Sequence, residues 1–325
     1  MEQKLYRKWR KMSNELRPPI ILFGNTRSGT TIVQKVMSAH PDIVGWYEPN
    51  ALWLYADPGR IHDEFDESDA TNRVRKYIRK RFLKYQKRNG NRVILEKTPQ
   101  NILRIPYVRA IFPEATFLFI VRNPFSFISS VEYKWQRPVT GRGVVRRLKD
   151  TPITQLHHWV RRYIVQQIYK RVLKRKYLAI WGPRYKGIHE DQKKHDLLTV
   201  IARQWSVCSR QAEKALALFE GGQVLRLRYE DFVDNPIPDL DRISAHCGVE
   251  MTKDMVRAAN ELVKADRQLK WLRFDPPELA RILPEIDDQM QRHGYEIPTE
   301  IAQAIKHAEG DAPRQPNMKS TGTIL

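Results

Sequence analysis

Short apolar runs alternate with longer amphipathic stretches along most of this chain. The runs at residues 20–23 and 115–121 are too short for buried helices and are typical of buried strands. Further strands are predicted at residues 92–95 and 223–228. Residues 68–88 carry apolar side chains at helical spacing among many cations, which predicts an amphipathic helix.

Strands that alternate with helices predict an α/β fold, with a central, mostly parallel sheet flanked by helices. Apolar positions at helical spacing also predict helices at residues 32–37 and 102–111. The domain organisation that we predict is a basic leader (1–17), a single domain (18–309) that contains a basic helical insertion (134–200), and a flexible tail (310–325).

Charge and cysteine content narrow the class of protein. A formal net charge of +20 indicates an anionic partner, which is a nucleotide, a polyanion or an acidic membrane surface. Two cysteines exclude a disulfide framework and a cysteine-based metal site, and they fit a reducing compartment. No segment has the length and apolarity of a signal peptide or a membrane span, so we expect a cytoplasmic protein, with peripheral membrane contact through the basic insertion.

A loop of phosphate-binding type follows the first predicted strand. Residues 24–31 have the spacing of a Walker A loop, but Thr30 stands where the lysine belongs. Backbone N–H groups at such a loop attract an anion at the start of the next helix. Because a nucleoside triphosphatase needs that lysine and here the only cation is Arg27, a different anion is predicted. A tight turn without a ligand is the structural alternative.

The segment Arg27-Ser28-Gly29-Thr30-Thr31, followed by His40-Pro41, resembles the 5′-phosphosulfate loop of sulfotransferases that use 3′-phosphoadenosine-5′-phosphosulfate (PAPS). The resemblance implies a P-loop-NTPase-like sulfotransferase fold. It also implies that Arg27 contacts the bridging oxygen and the transferring sulfuryl group, while Ser28, Gly29, Thr30 and Thr31 hold the 5′-phosphate.

Two later segments resemble other parts of the same family's donor site. Arg122-Asn123-Pro124, with Ser130 eight positions after the arginine, resembles the 3′-phosphate motif, so Arg122 and Ser130 are implied to bind that phosphate. An ordinary strand end before a helix is the alternative for this segment. Tyr229, in Arg228-Tyr229-Glu230-Asp231, is implied to pack on the adenine, and a core tyrosine beside a helix cap is its alternative.

The resemblance also supplies candidates for the reacting centre. Lys97, in Glu96-Lys97-Thr98-Pro99, is implied to stabilise charge on the transferring group. Members that act on small phenols and steroids have a catalytic histidine where this chain has Pro99, so the base must lie elsewhere. Glu48 occupies about the place of the glutamate base in carbohydrate-modifying, protein-modifying and some bacterial members, and a surface-loop acid is its alternative. Glu96 is the reserve base, or the partner of Lys97 in an ion pair.

These features together predict transfer of a sulfuryl group from PAPS to a hydroxyl, less favourably an amine, of a small-molecule, carbohydrate, glycolipid or peptide acceptor, with PAP as product and without a metal ion. A nucleic-acid partner is not favoured. The family's C-terminal glycine-rich loop is missing, and Lys264, Arg267, Lys270 and Trp271 are candidate replacements. Two other functions stay open: a P-loop nucleotide kinase, and a non-catalytic polyanion-binding or RNA-binding protein.

Overall fold

Five parallel strands form one sheet in the part of the chain that a computed structural model describes, which is residues 15–135, 180–264 and 270–310. The strand order is β2-β3-β1-β4-β5. The strands are β1 (Ile20–Gly24), β2 (Ile43–Tyr47), β3 (Val93–Lys97), β4 (Thr116–Val121) and β5 (Val224–Arg228). The predicted α/β class is confirmed, and the four strands predicted from the sequence are all present.

Helices pack on both faces of this sheet. In chain order they are α1 (Thr30–Met37), α2 (Asn50–Trp53), α3 (Asn72–Arg88), α4 (Ile105–Ile111), α5 (Pro124–Trp135), α6 (Ile188–Lys194), α7 (Leu197–Leu216), α8 (Tyr229–Asp234), α9 (Pro236–His246), α10 (Lys253–Leu262), α11 (Pro276–Arg292) and α12 (Thr299–Gly310). Short 3-10 turns lie at Glu67–Asp69, Pro99–Leu103 and Lys270–Arg273.

The two faces of the sheet build two hydrophobic cores. In β1, Ile21 and Phe23 belong to the larger core, whereas Ile20 and Leu22 belong to the smaller one on the other face. Successive strand residues point to opposite faces, so a strand covered on both sides is apolar at most positions. This is why β1 and β4 are nearly continuous apolar runs in the sequence.

Strand β2 was missed by the sequence analysis. It is a five-residue edge strand with Gly45 at its centre, so it has neither a long apolar run nor a clean alternation. Tertiary contacts hold it in place: Tyr85 Oη donates to Gly45 O at 2.8 Å, and the Trp46 and Tyr85 rings stack 4.2 Å apart. As a result, Glu48 directly follows the carboxyl end of a strand, and its position is fixed by the end of that strand.

Two helices start later than the sequence predicted. Helix α3 begins at Asn72 because Thr71 caps it, with its side chain accepting from Val74 N at 3.4 Å. Helix α4 begins at Ile105 because the preceding residues form the 3-10 turn Pro99–Leu103.

Parts of the predicted domain plan lie outside the described residues, namely 1–14 of the leader, 136–179 of the insertion, 265–269 of the single domain and 311–325 of the tail. Among the described residues, no helix is both long enough and apolar enough to cross a bilayer. No cluster of three or more potential metal ligands occurs in the same part of the chain.

Candidate active site

The two predicted anion-binding motifs meet at the carboxyl ends of two neighbouring strands. Strands β1 and β4 pair in parallel, with Gly24 opposite Ile120, so both following segments emerge at the same edge of the sheet. Arg122 Nη1 donates to Arg27 O at 2.7 Å, and Arg27 Nε donates to Ser130 Oγ at 2.9 Å. Ligands in open α/β sheets bind at this type of edge. The loop, Arg122 and Ser130 therefore form one cluster.

The loop before α1 has the construction of an anion cradle. Ser28 N donates to Asn25 O at 3.1 Å, and Gly29 has a positive φ of 85° just before the helix begins. The first backbone N–H groups of a helix lack partners within the helix and attract anions. Ser28 Oγ is buried and has no hydrogen-bond partner among the described residues. A bound phosphate would supply an acceptor for this hydroxyl, so the loop fits such a group.

Tyr229 lies between the loop and Arg122. The guanidinium carbon of Arg122 stands 4.3 Å from the centre of the Tyr229 ring, and the ring also covers Gly29. Only 3% of Tyr229 is exposed. Burial lowers the pKa of the Arg122 guanidinium, while Tyr229 and Glu230 oppose this shift. Tyr229 therefore supports both anion motifs, and its stacking on adenine stays a prediction.

Glu48 and Lys97 form an ion pair at the adjacent strand ends. Lys97 Nζ lies 2.7 Å from Glu48 Oε1 and 3.1 Å from Thr31 Oγ1, and the Lys97 side chain is 2% exposed. Glu48 N donates to Lys97 O at 3.0 Å, which continues the β2–β3 pairing by one residue. The Glu48 side chain is 25% exposed. Lys97 thus links the phosphate-type loop to a carboxylate that solvent can reach.

Unusual backbone conformations occur at two of these candidates. Among the described residues, the non-glycine residues with positive φ are Arg27 (64°), Glu48 (50°) and Asn91 (55°). A non-glycine residue in this region costs about 1–3 kcal/mol, and such residues concentrate at functional sites. The strain at Arg27 and Glu48 therefore agrees with functional roles for both.

Glu96 is enclosed and does not form the ion pair that was considered for it. Its carboxylate accepts from Trp53 Nε1 at 3.1 Å, Thr98 Oγ1 at 2.5 Å and Asn101 Nδ2 at 3.0 Å. It is 0% exposed, and burial raises its pKa to about 7. The ion-pair partner of Lys97 is Glu48 instead. Glu96 is therefore fully covered, and its place as the reserve base stays a prediction.

Sequence reasoning missed two contributions from the C-terminal third. Glu230 accepts from Asn123 N at 3.0 Å and from Tyr295 Oη at 2.8 Å, so it holds the segment that follows Arg122. Arg273 Nε donates to Ser129 Oγ at 3.3 Å, next to Ser130. No motif in the sequence singled out Tyr295 or Arg273.

The candidate replacements for the glycine-rich loop are only partly described. The turn Lys270–Arg273 packs on α5: Ser129 Oγ donates to Lys270 O at 3.1 Å, and the Trp271 ring lies 5.6 Å from that of Phe125. Lys264 lies within the described residues, and no contact between it and Arg122 or Ser130 is seen there. Arg267 lies outside the described residues. The C-terminal segment thus approaches Ser130 through Lys270–Arg273.

The family model described as "Sulfotransferase family" matches residues 18–185, which include the loop, Glu48, Lys97, Arg122 and Ser130. The match covers more than half of the chain. The chain belongs to the sulfotransferase family. This membership confirms the resemblance that the loop and the Arg-Asn-Pro motif indicated.

Similar proteins agree with this membership. The nodulation protein NoeE of Sinorhizobium fredii (strain NBRC 101917 / NGR234) is 26% identical over 145 residues, which are 39% of this chain and 35% of that protein. The match thus spans only about a third of that relative's length.

Solved structures share the fold of this family member. The sulfotransferase domain from the curacin biosynthetic pathway superposes with a TM-score of 0.55 at 13% identity, covering 87% of this chain and 100% of that domain. The sulfotransferase domain of the Synechococcus PCC 7002 olefin synthase gives 0.54 at 14% identity, covering 88% and 98%.

We expect Gly29→Ala to destabilise this family member more than Gly90→Ala does. Both glycines have positive φ, so both substitutions carry the same kind of backbone strain. A methyl group on Gly29 would stand 2.3 Å from Tyr229 Cδ2, whereas one on Gly90 would meet nothing within 4 Å. Overpacking of this kind costs about 2 kcal/mol. Urea denaturation of both variants measures the difference, and equal losses would contradict the contact.

We expect Glu96 to make stability depend on pH. The folded protein holds this proton more tightly than the unfolded chain, because burial raises the pKa from the ordinary 4.5 to about 7. The contribution of Glu96 to stability is therefore largest below the ordinary value, falls as the pH rises towards about 7, and is constant above that.

The Glu96→Gln variant tests this, because glutamine does not titrate. The free energy of unfolding of the unaltered protein minus that of the variant should fall by about 3 kcal/mol between pH 4 and pH 8. Glu250→Gln, at an exposed position, is the matched control and should give a difference that hardly changes with pH. A flat difference for Glu96→Gln would show that burial does not shift its titration.

Proposed function

We propose that this chain transfers a sulfuryl group from PAPS to a hydroxyl group of an acceptor, by in-line displacement. Membership of the sulfotransferase family supports the activity. The observation that carries the proposal is the cluster in which Arg122 contacts Arg27 and Arg27 contacts Ser130, where β1 and β4 end side by side. A doubly phosphorylated adenosine needs cationic groups for both ends within one site, and this cluster supplies them.

In this proposal the sulfuryl donor, PAPS, lies across the carboxyl ends of β1 and β4. The loop Ser28, Gly29, Thr30 and Thr31 binds the 5′-phosphate through backbone N–H groups and hydroxyls. Arg122 and Ser130 bind the 3′-phosphate. Arg273, which is ion-paired with Glu132 and contacts the neighbouring Ser129, holds the start of this site to the C-terminal segment. Arginine suits this task because its planar guanidinium matches two phosphate oxygens at once.

Glu48 acts as the base and accepts the proton of the acceptor hydroxyl. The acceptor oxygen then forms a bond to sulfur while the bond from sulfur to the bridging phosphate oxygen breaks, and PAP leaves with that electron pair. Arg27 and Lys97 stabilise the negative charge on the sulfuryl oxygens and the leaving oxygen. The 2.7 Å contact between Lys97 and Glu48 supports this arrangement, because it holds base and cation together beside Thr31.

We propose a carbohydrate, glycolipid or peptide hydroxyl as the acceptor. Pro99 is buried and begins a 3-10 turn, so it supplies no base at the position where members acting on small phenols have their histidine. The carboxylate of Glu48 is the solvent-accessible alternative at these strand ends. A reaction without a metal ion stays a prediction, based on the activated state of the phosphosulfate.

Calorimetric titration with PAP, AMP and ATP, each with and without magnesium, tests the proposal. We expect PAP to bind more tightly than AMP, because only PAP carries the 3′-phosphate, and we expect magnesium to have no effect. Tighter binding of ATP in the presence of magnesium would favour the kinase. Equal affinities for PAP and AMP would contradict a 3′-phosphate site.

Incubation with PAPS and a panel of glycans, glycolipids and peptides then identifies the acceptor. Mass spectrometry should detect a product that has gained one SO₃ group, together with an equal amount of PAP. Binding of PAP without any product across such a panel would leave the donor site intact but contradict the proposed acceptor classes.

A further inference from the structure

A row of cations covers the outer face of α3. This helix carries nine lysines and arginines in its 17 residues and no acid. Arg73, Lys76, Lys80 and Lys84 are exposed and follow one another at steps of three or four residues, so they share one side of the helix. We call these four residues the basic face of α3. At 1.5 Å per residue the row is about 17 Å long.

Neighbouring acids leave most of this charge uncompensated. The ion pair seen on α3 joins Arg79 to Glu114, on the flank of the helix. Within the described part of the chain, Lys76, Lys80 and Lys84 form no ion pair. The opposite side of α3 is buried through Val74, Ile78, Phe82 and Gln86. The basic face therefore directs most of its charge to solvent; of its four residues, Arg73 also lies with its guanidinium carbon 5.8 Å from the centre of the Tyr55 ring.

The position of α3 gives this face access to a large partner. The helix packs on β2, the edge strand of the sheet, through the stacked rings of Trp46 and Tyr85. Near its start, the ring of Tyr77 stacks on Tyr55 at 3.7 Å, just after α2 and therefore close to Glu48 in the chain. The row of cations runs from the carboxyl ends of the strands, where the candidate active site lies, towards their amino ends.

A second basic segment joins the protein at the other end of α3. Gln86 Nε2 donates to Glu15 O at 3.0 Å, and Arg17 N donates to Gln86 Oε1 at 2.9 Å. Residues 1–14, which precede this attachment, contain five cations interleaved with Leu5, Tyr6, Trp9 and Met12. Cations mixed with aromatic and apolar residues are typical of segments that bind at the interface of a bilayer.

We propose that the basic face of α3 binds the surface of an anionic lipid bilayer. The exposed lysines supply electrostatic attraction to acidic headgroups. The sequence of residues 1–14 mixes cations with apolar residues, a composition that favours a bilayer over a soluble polyanion. In this orientation the face of the sheet that α3 covers is turned towards the lipid. The inference does not depend on the proposed sulfuryl transfer.

Sedimentation of the full chain with vesicles tests the proposal. The vesicles contain either phosphatidylcholine alone or phosphatidylcholine mixed with phosphatidylglycerol. We expect binding to the mixed vesicles that weakens as salt is added. The triple variant Lys76→Gln, Lys80→Gln, Lys84→Gln should bind them about a hundredfold more weakly, because each lysine near an anionic surface contributes roughly a factor of five. Glutamine keeps the helix propensity of lysine.

The matched control is Lys193→Gln, Lys214→Gln, Lys253→Gln, which removes the same charge from exposed positions elsewhere. We expect this control to lose much less affinity. Equal losses in the two triple variants would show that net charge alone drives binding and would overturn the proposal. Unchanged vesicle binding by the α3 variant would also overturn it. The same holds if that variant keeps its vesicle binding but loses binding to heparin, a soluble polyanion.

Discussion

Replacing Glu48 with glutamine is expected to lower turnover about a thousandfold, because a positioned general base contributes roughly 10²–10⁴ to the rate. Affinity for PAP should hardly change. The amide oxygen of glutamine can still accept the hydrogen bond that Lys97 Nζ donates to Glu48 at 2.7 Å. The substitution therefore removes the basic oxygen and keeps the shape of the site.

Release of PAP from PAPS, measured with an acceptor found in the panel, gives the turnover, and calorimetry gives the affinity for PAP. Glu250→Gln is the matched control, since it changes an exposed carboxylate elsewhere and should leave both quantities unchanged. Normal turnover in the Glu48→Gln variant would eliminate Glu48 as the base. In that case its ion pair with Lys97 would have a structural purpose only.

Replacing Arg122 with alanine is expected to weaken PAP binding about a hundredfold, because removing one partner of a buried charged pair costs roughly 2–5 kcal/mol. Arg122 is 6% exposed, so water compensates poorly for its loss. Its hydrogen bond to Arg27 O also supports the loop, and losing it should weaken AMP binding to a smaller extent. The loss for PAP should therefore exceed the loss for AMP.

Calorimetry with PAP and AMP on the same variant separates these two effects. Arg109→Ala is the matched control, because Arg109 lies on α4 with its guanidinium over the Phe219 ring, away from the loop. It should bind both ligands normally. If Arg122→Ala loses the same factor for PAP and for AMP, Arg122 acts only by supporting the loop, and the 3′-phosphate lies elsewhere.

Features that depend on nearby residues in the chain were predicted well. The strands β1 and β4 are apolar at nearly every position because both sides of each strand are covered, and this requirement is visible in the sequence alone. The loop before α1 was also recognisable, because an anion cradle needs a particular order of glycine and hydroxyl residues over a few positions. The family motifs around Arg27 and Arg122 belong to the same class of local pattern.

Features that depend on distant parts of the chain were not predictable. Strand β2 is held by Tyr85 and Gln34 from two helices, and its own sequence has no strand-like periodicity. The partner of Lys97 was left open because its neighbour in sequence, Glu96, points to the opposite side of the strand. Tyr295 approaches Glu230 from 65 residues away.

The sequence by itself determined the parallel α/β architecture, the anion cradle and the family, because each depends on residue types in short, ordered segments. Tertiary structure alone decided which charges meet. The pairing of β1 with β4 brings Arg122 to Arg27, and the pairing of β2 with β3 brings Glu48 to Lys97. Contacts of this kind depend on the strand order and on the face to which each side chain points, and both are set by the packing of the whole chain.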